Sequence, residues 1–285
     1  MKWTLVTFLA VSTVAFSAIA GTASLNQNQQ KDRLLELTRS SDAQMRITAV
    51  RTLRSDLSDP KVKGRILEMA GNPKESIEVR RECLKDLTHL PGHEAATMIK
   101  AAAFDSSWPR PLKILGFKAL YHIVVLETGT RRDLLLAATR GDDVELRAAA
   151  IWGLHEASRQ HNEVKKDLLL MTTDRETIPI RIAALKSLYL AMTQLDVKDR
   201  ILFLASDRRQ DAALRYGAVL ALSAASSDRS AKMALETLTK DNDPQIQRAA
   251  VLAMGDPGHS DILVYFHFVH ERGSSGLFSD PLDDE

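Results

Sequence analysis

The sequence has little of several things that would point to a particular chemistry. Its 285 residues include a single cysteine, so no disulfide can form within the chain. Aromatic residues make up only 5%, and 38 basic residues almost balance 37 acidic ones. A general nucleic-acid-binding protein normally has a basic excess, so DNA and RNA are not expected partners. Hydrophobic residues at 45% and charged residues at 26% are typical of a globular protein.

Residues 1–20 have the pattern of a secretory signal peptide. Lys2 precedes an apolar stretch from Leu5 to Ala20 that ends in a small-x-small sequence. Hydroxyl residues such as Ser12 interrupt this stretch, which makes an uncleaved membrane anchor the less favoured alternative. Residues 21–31 are predicted to be a flexible lead-in. Export together with one cysteine indicates the bacterial periplasm or the extracellular space.

A repeat of about 34 residues organises the rest of the chain. Basic residues recur at intervals of 33 or 34 residues, at Arg46, Arg80, Lys113, Arg147, Arg181, Arg215 and Arg248. A small residue follows three positions later in six of the seven units, an apolar residue four positions later in all seven, and leucine seven positions later in six. Offsets of 3, 4 and 7 share one face of a helix, and leucines and alanines ahead of them indicate a second helix in each unit. Strand signals are almost absent, so we predict an all-α fold, a right-handed α-solenoid of about seven two-helix repeats over residues 32–271.

Acidic residues four or five positions before the basic ones, where a helix begins, fit a capping role. The combined pattern, acid-x(3 or 4)-Arg-x-x-small-apolar-x-x-Leu, resembles the HEAT repeat, particularly its short bacterial form found in phycobilisome-lyase-type proteins. It is clearest over residues 142–154, 211–222 and 243–254. The resemblance implies a ladder of ion pairs between adjacent repeats. Its basic members would be Arg46, Arg80, Arg147, Arg181, Arg215 and Arg248, and its acids would be Asp42, Glu75, Asp143, Glu176, Asp211 and Asp243.

The unit at residues 93–127 departs most from this pattern. The segment Trp108-Pro109-Arg110-Pro111 stands where other units have an acidic start, and Lys113 replaces the arginine. Since function on a repeat protein often lies where a unit differs from its neighbours, we select Trp108, Arg110 and Lys113, together with Trp152, as candidate partner contacts. The alternative for both tryptophans is packing between repeats.

Two further segments leave alternatives open. Aromatic residues in 259–271 indicate a terminal helix that either caps the stack or binds a partner, and residues 272–285 are predicted to be a disordered acidic tail. Basic residues near the starts of the first helices, the doublets Arg131-Arg132 and Lys165-Lys166 together with Arg200, suggest either a solvated edge or a surface for an acidic protein or a lipid.

Signals for catalysis are weak. The sequence has no phosphate loop, no Cys-x-x-Cys pair and no nucleophile elbow. His-Glu dipeptides begin at His93, His155 and His270, as in HEAT-like hydroxylases, but they are out of phase with one another in the repeat. Cys83 occupies a small core position and is expected to be an inert buried thiol. We therefore predict no catalytic residue, metal or cofactor.

The function predicted from the sequence is an exported, non-catalytic scaffold that binds a protein or peptide on the concave face of the stack. One alternative is a HEAT-like enzyme or enzyme accessory of the lyase or hydroxylase type. The other is a structural, self-assembling envelope protein.

Overall fold

Every regular element in the described part of the chain is helical. The structure is a computed structural model, and it describes residues 27–90 and 92–255. These residues contain sixteen α-helices and three short 3-10 helices. The α-helices are α1 Gln27–Leu37, α2 Ala43–Leu53, α3 Pro60–Gly71, α4 Ile77–Leu87, α5 His93–Phe104, α6 Arg110–Ala119, α7 Ile123–Leu126, α8 Thr128–Arg140, α9 Val144–Trp152, α10 His155–Gln160, α11 Asn162–Met171, α12 Ile178–Ser187, α13 Leu195–Ser206, α14 Ala212–Ala221, α15 Arg229–Leu238 and α16 Pro244–Gly255.

Fourteen of these helices form seven consecutive pairs, which confirms the predicted all-α fold of stacked two-helix repeats. The pairs are α1/α2, α3/α4, α5/α6, α8/α9, α11/α12, α13/α14 and α15/α16. The repeat basic residue is the fourth residue of the second helix in six pairs and the fifth in the last. Short helical segments follow most second helices: α7, α10 and the 3-10 helices at Arg54–Asp56, Tyr189–Ala191 and Leu222–Ala225.

The chain divides into two compact units, with the boundary between Gly116 and Phe117. In the first unit, α2 packs against α4, and α3 packs against α4 and α5. In the second unit, the second helices α9, α12, α14 and α16 pack in succession against one another. Like helices therefore contact like helices from one repeat to the next, as in a helical-repeat protein.

The core follows the periodicity of the sequence. The leucine seven positions after each basic residue has no exposed surface in any of the six units that have it: Leu53, Leu87, Leu120, Leu154, Leu188 and Leu222. Burying each leucine contributes about 1.5–3 kcal/mol. The small residues three positions after the basic one let the paired helix approach. At Gly116 in α6, an added Cβ would lie only 2.6 Å from the backbone nitrogen of Ala103.

The first described helix begins earlier than the sequence analysis placed it. Helix α1 includes residues 27–31, which were assigned to the flexible lead-in. These residues lack an apolar face, but Leu34 is buried and Lys31 Nζ lies 2.5 Å from Asp59 Oδ2 in the next repeat. Contacts with the second repeat therefore support a helix that local periodicity does not reveal. The predicted signal peptide, terminal helix 259–271 and acidic tail lie outside the described residues.

Within residues 27–90 and 92–255, no helix has both the length and the hydropathy that crossing a bilayer requires.

Candidate functional site

The repeat arginines connect neighbouring repeats. Arg147 in α9 donates from Nε to the carbonyl oxygen of Ala138 at 2.9 Å, and from Nη2 to Glu176 Oε1 at 2.7 Å. Ala138 lies near the end of the paired first helix, and Glu176 lies in the following repeat. One guanidinium therefore satisfies a helix C-terminus and forms an ion pair across the repeat boundary.

Three other arginines repeat this geometry with different acceptors. Arg46 bonds to the Ser40 carbonyl and Glu75, Arg181 bonds to the Thr172 carbonyl and Gln210, and Arg215 bonds to the Ala205 carbonyl and Asp241. The ladder therefore exists, but its acceptors are not always acids. Arg248, in the last described repeat, is exposed.

The aspartates that the sequence analysis placed in this ladder have a different role. Asp42, Asp143, Asp211 and Asp243 each accept a backbone N–H two residues further on, at 2.8 or 2.9 Å. They therefore stabilise the start of the second helix in their own repeat, where a carboxylate also complements the helix dipole. Glu75 and Glu176 are the two members of the predicted acidic series that pair with repeat arginines in the structure.

Trp108 replaces the acceptor in the third repeat. Its ring lies under the guanidinium of Arg80, 4.1 Å from ring centroid to Cζ, while Arg80 Nε donates to the Ala70 carbonyl at 2.9 Å. Trp108 is 9% exposed, and burial lowers the pKa of Arg80. A cation over an indole face is a favourable contact. The structure therefore places Trp108 between repeats rather than at the surface, while Arg110 is exposed and Lys113 is half-buried near the start of α6.

A second ladder joins the first helices. Its five ion pairs are Lys31–Asp59, Lys63–Glu94, Arg131–Glu163, Lys165–Asp196 and Lys198–Asp228. Sequence analysis missed these pairs, although the basic residues recur at the same period. Within the doublets that the sequence suggested as a basic stripe, Arg131 and Lys165 are buried in these pairs, whereas Arg132 and Lys166 are exposed. Arg200 is half-buried, and its Nε donates to Thr172 Oγ1.

Partly exposed aromatic residues cluster at the ends of second helices in the second unit. Tyr121 follows α6, Trp152 ends α9 and His155 begins α10. The ring centroids of Tyr121 and His155 are 5.2 Å apart with planes at 25°, and those of Trp152 and His155 are 5.0 Å apart. His155 Nδ1 lies 2.8 Å from the Trp152 carbonyl oxygen, which fixes the imidazole between the two rings. We call Tyr121, Trp152 and His155 the aromatic cluster.

The first unit has a buried charged cluster. Glu82 and Asp86 on α4 have side chains that are 3% and 0% exposed. Arg51 Nε donates to Glu82 Oε2 at 3.0 Å, Arg54 Nε donates to Asp86 Oδ1 at 2.7 Å, and Lys85 Nζ lies 3.5 Å from Glu82 Oε1. We call these five residues the charged cluster. Sequence analysis did not select it, although the two acids interrupt the apolar pattern of a second helix.

Asp86 makes the stability of the fold depend on pH. Burial raises the pKa of Asp86 to about 6, and the charges of Arg54 and Lys85 only partly oppose burial, while Glu82 adds to it. The folded state therefore holds a proton on Asp86 that the unfolded chain loses near pH 4, and the free energy of unfolding falls as pH rises from about 4 to 6. Between pH 4.5 and 7, the free energy of unfolding of the original protein should fall by about 2 kcal/mol because of Asp86, and Asp86→Asn should abolish this fall. Urea unfolding of the original protein and the variant at both pH values measures it. An unchanged pH profile in the variant would contradict this account.

Other candidate chemistry has no assembled site. Cys83 is fully buried, and burial raises the pKa of its thiol. His93 begins α5 in one unit, and His155 belongs to the aromatic cluster in the other. Across the described residues, no group of three or more His, Cys, Asp or Glu side chains is placed to hold a metal ion.

Comparison with known proteins identifies the fold. No protein-family model matches the chain, and no curated protein sequence matches it. Among solved structures, it is similar to YibA of Escherichia coli, with 14% identity, a TM-score of 0.50 and coverage of 95% of this chain and 97% of that one. It is also similar to the complex of CpcE and CpcF of phycocyanin lyase from Nostoc, with 13% identity, a TM-score of 0.47 and coverage of 80% and 94%.

A third similar structure is human deoxyhypusine hydroxylase, with 12% identity, a TM-score of 0.37 and coverage of 90% and 91%. At these identities the similarities concern the fold and not the activity. The seven helix pairs and the similarity to YibA agree, and the chain has a HEAT-like fold of stacked helix pairs.

Proposed function

We propose that this protein is a non-catalytic scaffold that binds a protein or peptide on the surface formed by its second helices. The aromatic cluster is the observation that carries this proposal. Tyr121, Trp152 and His155 are only half-buried, in a chain where aromatic residues are scarce. Tryptophan and tyrosine are enriched among residues that dominate binding energy at protein interfaces.

The geometry of the cluster favours binding over packing. The Trp152 and His155 rings are in contact, with centroids 5.0 Å apart and planes tilted by 32°, and this contact restricts the indole, so less side-chain entropy is lost when a partner covers it. Lys118 and Lys186 occupy the position of Trp152 in the flanking repeats, and both are half-buried. The surface therefore combines aromatic rings with basic side chains, a composition typical of interface cores and their rims.

Export forms part of the proposal and rests on the pattern of residues 1–20. A binding protein outside the cytoplasm needs no metal or cofactor to act. The repeat fold suits such a role, because stacked helix pairs offer an extended surface to a partner.

A photo-crosslinker in place of Trp152 tests the proposed surface. We expect an adduct with a discrete partner when the substituted protein is irradiated in an extract of its source cells, because a bound partner would cover this position. The matched control places the same crosslinker at Leu170, which is exposed on the first helix α11. Mass spectrometry should identify the same partner in repeated experiments at 152 and not at 170. Equal or absent labelling at the two positions would contradict the proposal.

A further inference from the structure

The charged cluster is a departure from the repeat that packing does not explain. Glu82 and Asp86 lie two and six positions after the repeat arginine of α4. The equivalent positions in the other six second helices hold no acid: Thr48 and Thr52, Leu115 and Ala119, Ala149 and Gly153, Ala183 and Ser187, Gly217 and Ala221, and Ala250 and Met254. The fold therefore does not require carboxylates here.

Burying these two carboxylates is energetically unfavourable. Removing an ionised carboxylate from water costs several kcal/mol, which ion pairing recovers only when hydrogen bonds satisfy the group. Glu82 Oε1 and Asp86 Oδ2 are buried, and within the described part of the chain neither has a hydrogen-bond partner. Uncharged residues at these positions, as in the other repeats, would avoid this cost. The cluster is therefore a specialised feature of the second repeat.

The carboxylates orient two arginines at the surface. Glu82 and Asp86 each accept the Nε–H of an arginine from the preceding repeat, and the side chains of Arg51 and Arg54 are 49% and 41% exposed. An Nε–H bond fixes the plane of a guanidinium. Two guanidiniums with fixed planes, three residues apart, form a surface suited to planar carboxylates, since arginine binds a carboxylate through paired N–H donors.

We propose that Arg51 and Arg54 together bind one side-chain carboxylate of an acidic peptide segment of the partner. The inference rests on the proposed function and specifies the partner's chemistry. Charge favours a carboxylate: three basic and two acidic side chains give the cluster a net charge of +1, which matches one carboxylate better than a phosphate group of about two negative charges. The buried acids act as positioning residues, and the arginines make the contact.

Peptide binding to the full chain tests this inference. The probe is fluorescein-labelled deca-glutamate, with deca-glutamine as the uncharged control, followed by fluorescence anisotropy at low salt. We expect saturable binding of deca-glutamate only, and a Kd at least tenfold higher for the double variant Arg51→Gln/Arg54→Gln. The matched control is Arg39→Gln, which removes an arginine of the same unit whose side chain is 60% exposed, and this variant should stay within twofold of the original Kd.

A conservative variant separates binding from folding. Arg51→Lys/Arg54→Lys keeps both charges but not the planar fork, and we expect a Kd about threefold to fivefold higher with an unchanged circular dichroism spectrum. Binding that is equal in all variants, or displaced by inorganic phosphate beyond the effect of chloride at equal ionic strength, would overturn the inference. Crosslinking at position 152 tests the proposed function separately. If deca-glutamate did not bind but adducts formed at position 152, the proposed function would still hold.

Discussion

Asp241→Ala is expected to lower the free energy of unfolding by about 3–5 kcal/mol, because it leaves the buried guanidinium of Arg215 without its carboxylate. Arg215 Nη2 donates to Asp241 Oδ2 at 2.8 Å, and both side chains are buried. Burial opposes ionisation of Asp241, but the backbone N–H of Asp243 and the charge of Arg215 outweigh it and hold its pKa below the usual value. The carboxylate is therefore ionised at neutral pH. Its removal leaves the charged guanidinium of Arg215 buried without a counter-charge, which destabilises the folded state.

Urea unfolding at pH 7, read by circular dichroism, measures this loss. The matched control is Glu36→Ala, which breaks the exposed Arg39–Glu36 pair and should change the free energy of unfolding by no more than about 0.5 kcal/mol. If Asp241→Ala cost as little as Glu36→Ala, the ladder between repeats would contribute no more than surface ion pairs do.

Gly153→Ala is expected to destabilise the second unit by about 1–3 kcal/mol or more, through overpacking. A Cβ at Gly153 would lie 2.2 Å from the carbonyl oxygen of Phe117, and a backbone atom cannot move aside as a flexible side chain can. The backbone of Gly153 is in the ordinary right-handed helical region, so strain in φ does not add to this effect. The loss in the free energy of unfolding therefore measures how closely the two backbone segments approach each other next to Trp152.

Gly64→Ala, the same substitution at another position, is expected to stabilise the protein. Gly64 lies inside α3 with no atom within 4 Å of an added Cβ, so alanine should raise the free energy of unfolding by up to about 1 kcal/mol through helix propensity. Thermal unfolding of both variants beside the original protein provides the comparison. If both variants raised the melting temperature, helix propensity and not packing would dominate at Gly153.

The sequence predicts the repeat well, because the repeat depends on local spacing. Leucine seven positions after each basic residue must face the core if that segment is helical, and Leu154 and Leu188 show that it does. The small residue at offset three follows from the same geometry. Each of these two features recurs in six of the seven units, so the units of one chain can be compared with one another.

The contacts between repeats could not be predicted in the same way. Arg46, Arg147 and Arg181 each reach an acceptor 29 residues further on, but that acceptor is an amide for Arg181 and an acid for the other two. Arg215 instead reaches Asp241, 26 residues further on, so the acceptors repeat less strictly than the core positions do. Trp108 was selected as a candidate partner contact with packing between repeats as the alternative, and it packs under Arg80, since an aromatic face can replace an acid beside a guanidinium. Alignment on the second helices also hid the ladder of the first helices, which begins with Lys31.

The candidate surfaces were only partly accessible to sequence reasoning. Trp152 was selected, but the contribution of Tyr121 and His155 depends on how consecutive repeats stack. Glu82 and Asp86 are visible in the sequence as charges on a second helix, where charged residues usually face solvent. Only their burial shows that they orient Arg51 and Arg54.

Every hydrogen bond or ion pair of the two ladders joins one repeat to the next. Each repeat therefore relies on the following repeat for some of the contacts that hold its own helices in place. Arg147 in α9, for example, donates to the carbonyl of Ala138 near the end of α8 and also to Glu176 in the next helix pair. Loosening one pair therefore weakens the helix junction of the pair before it. Within each unit, local unfolding of one helix pair is therefore expected to weaken the neighbouring pair.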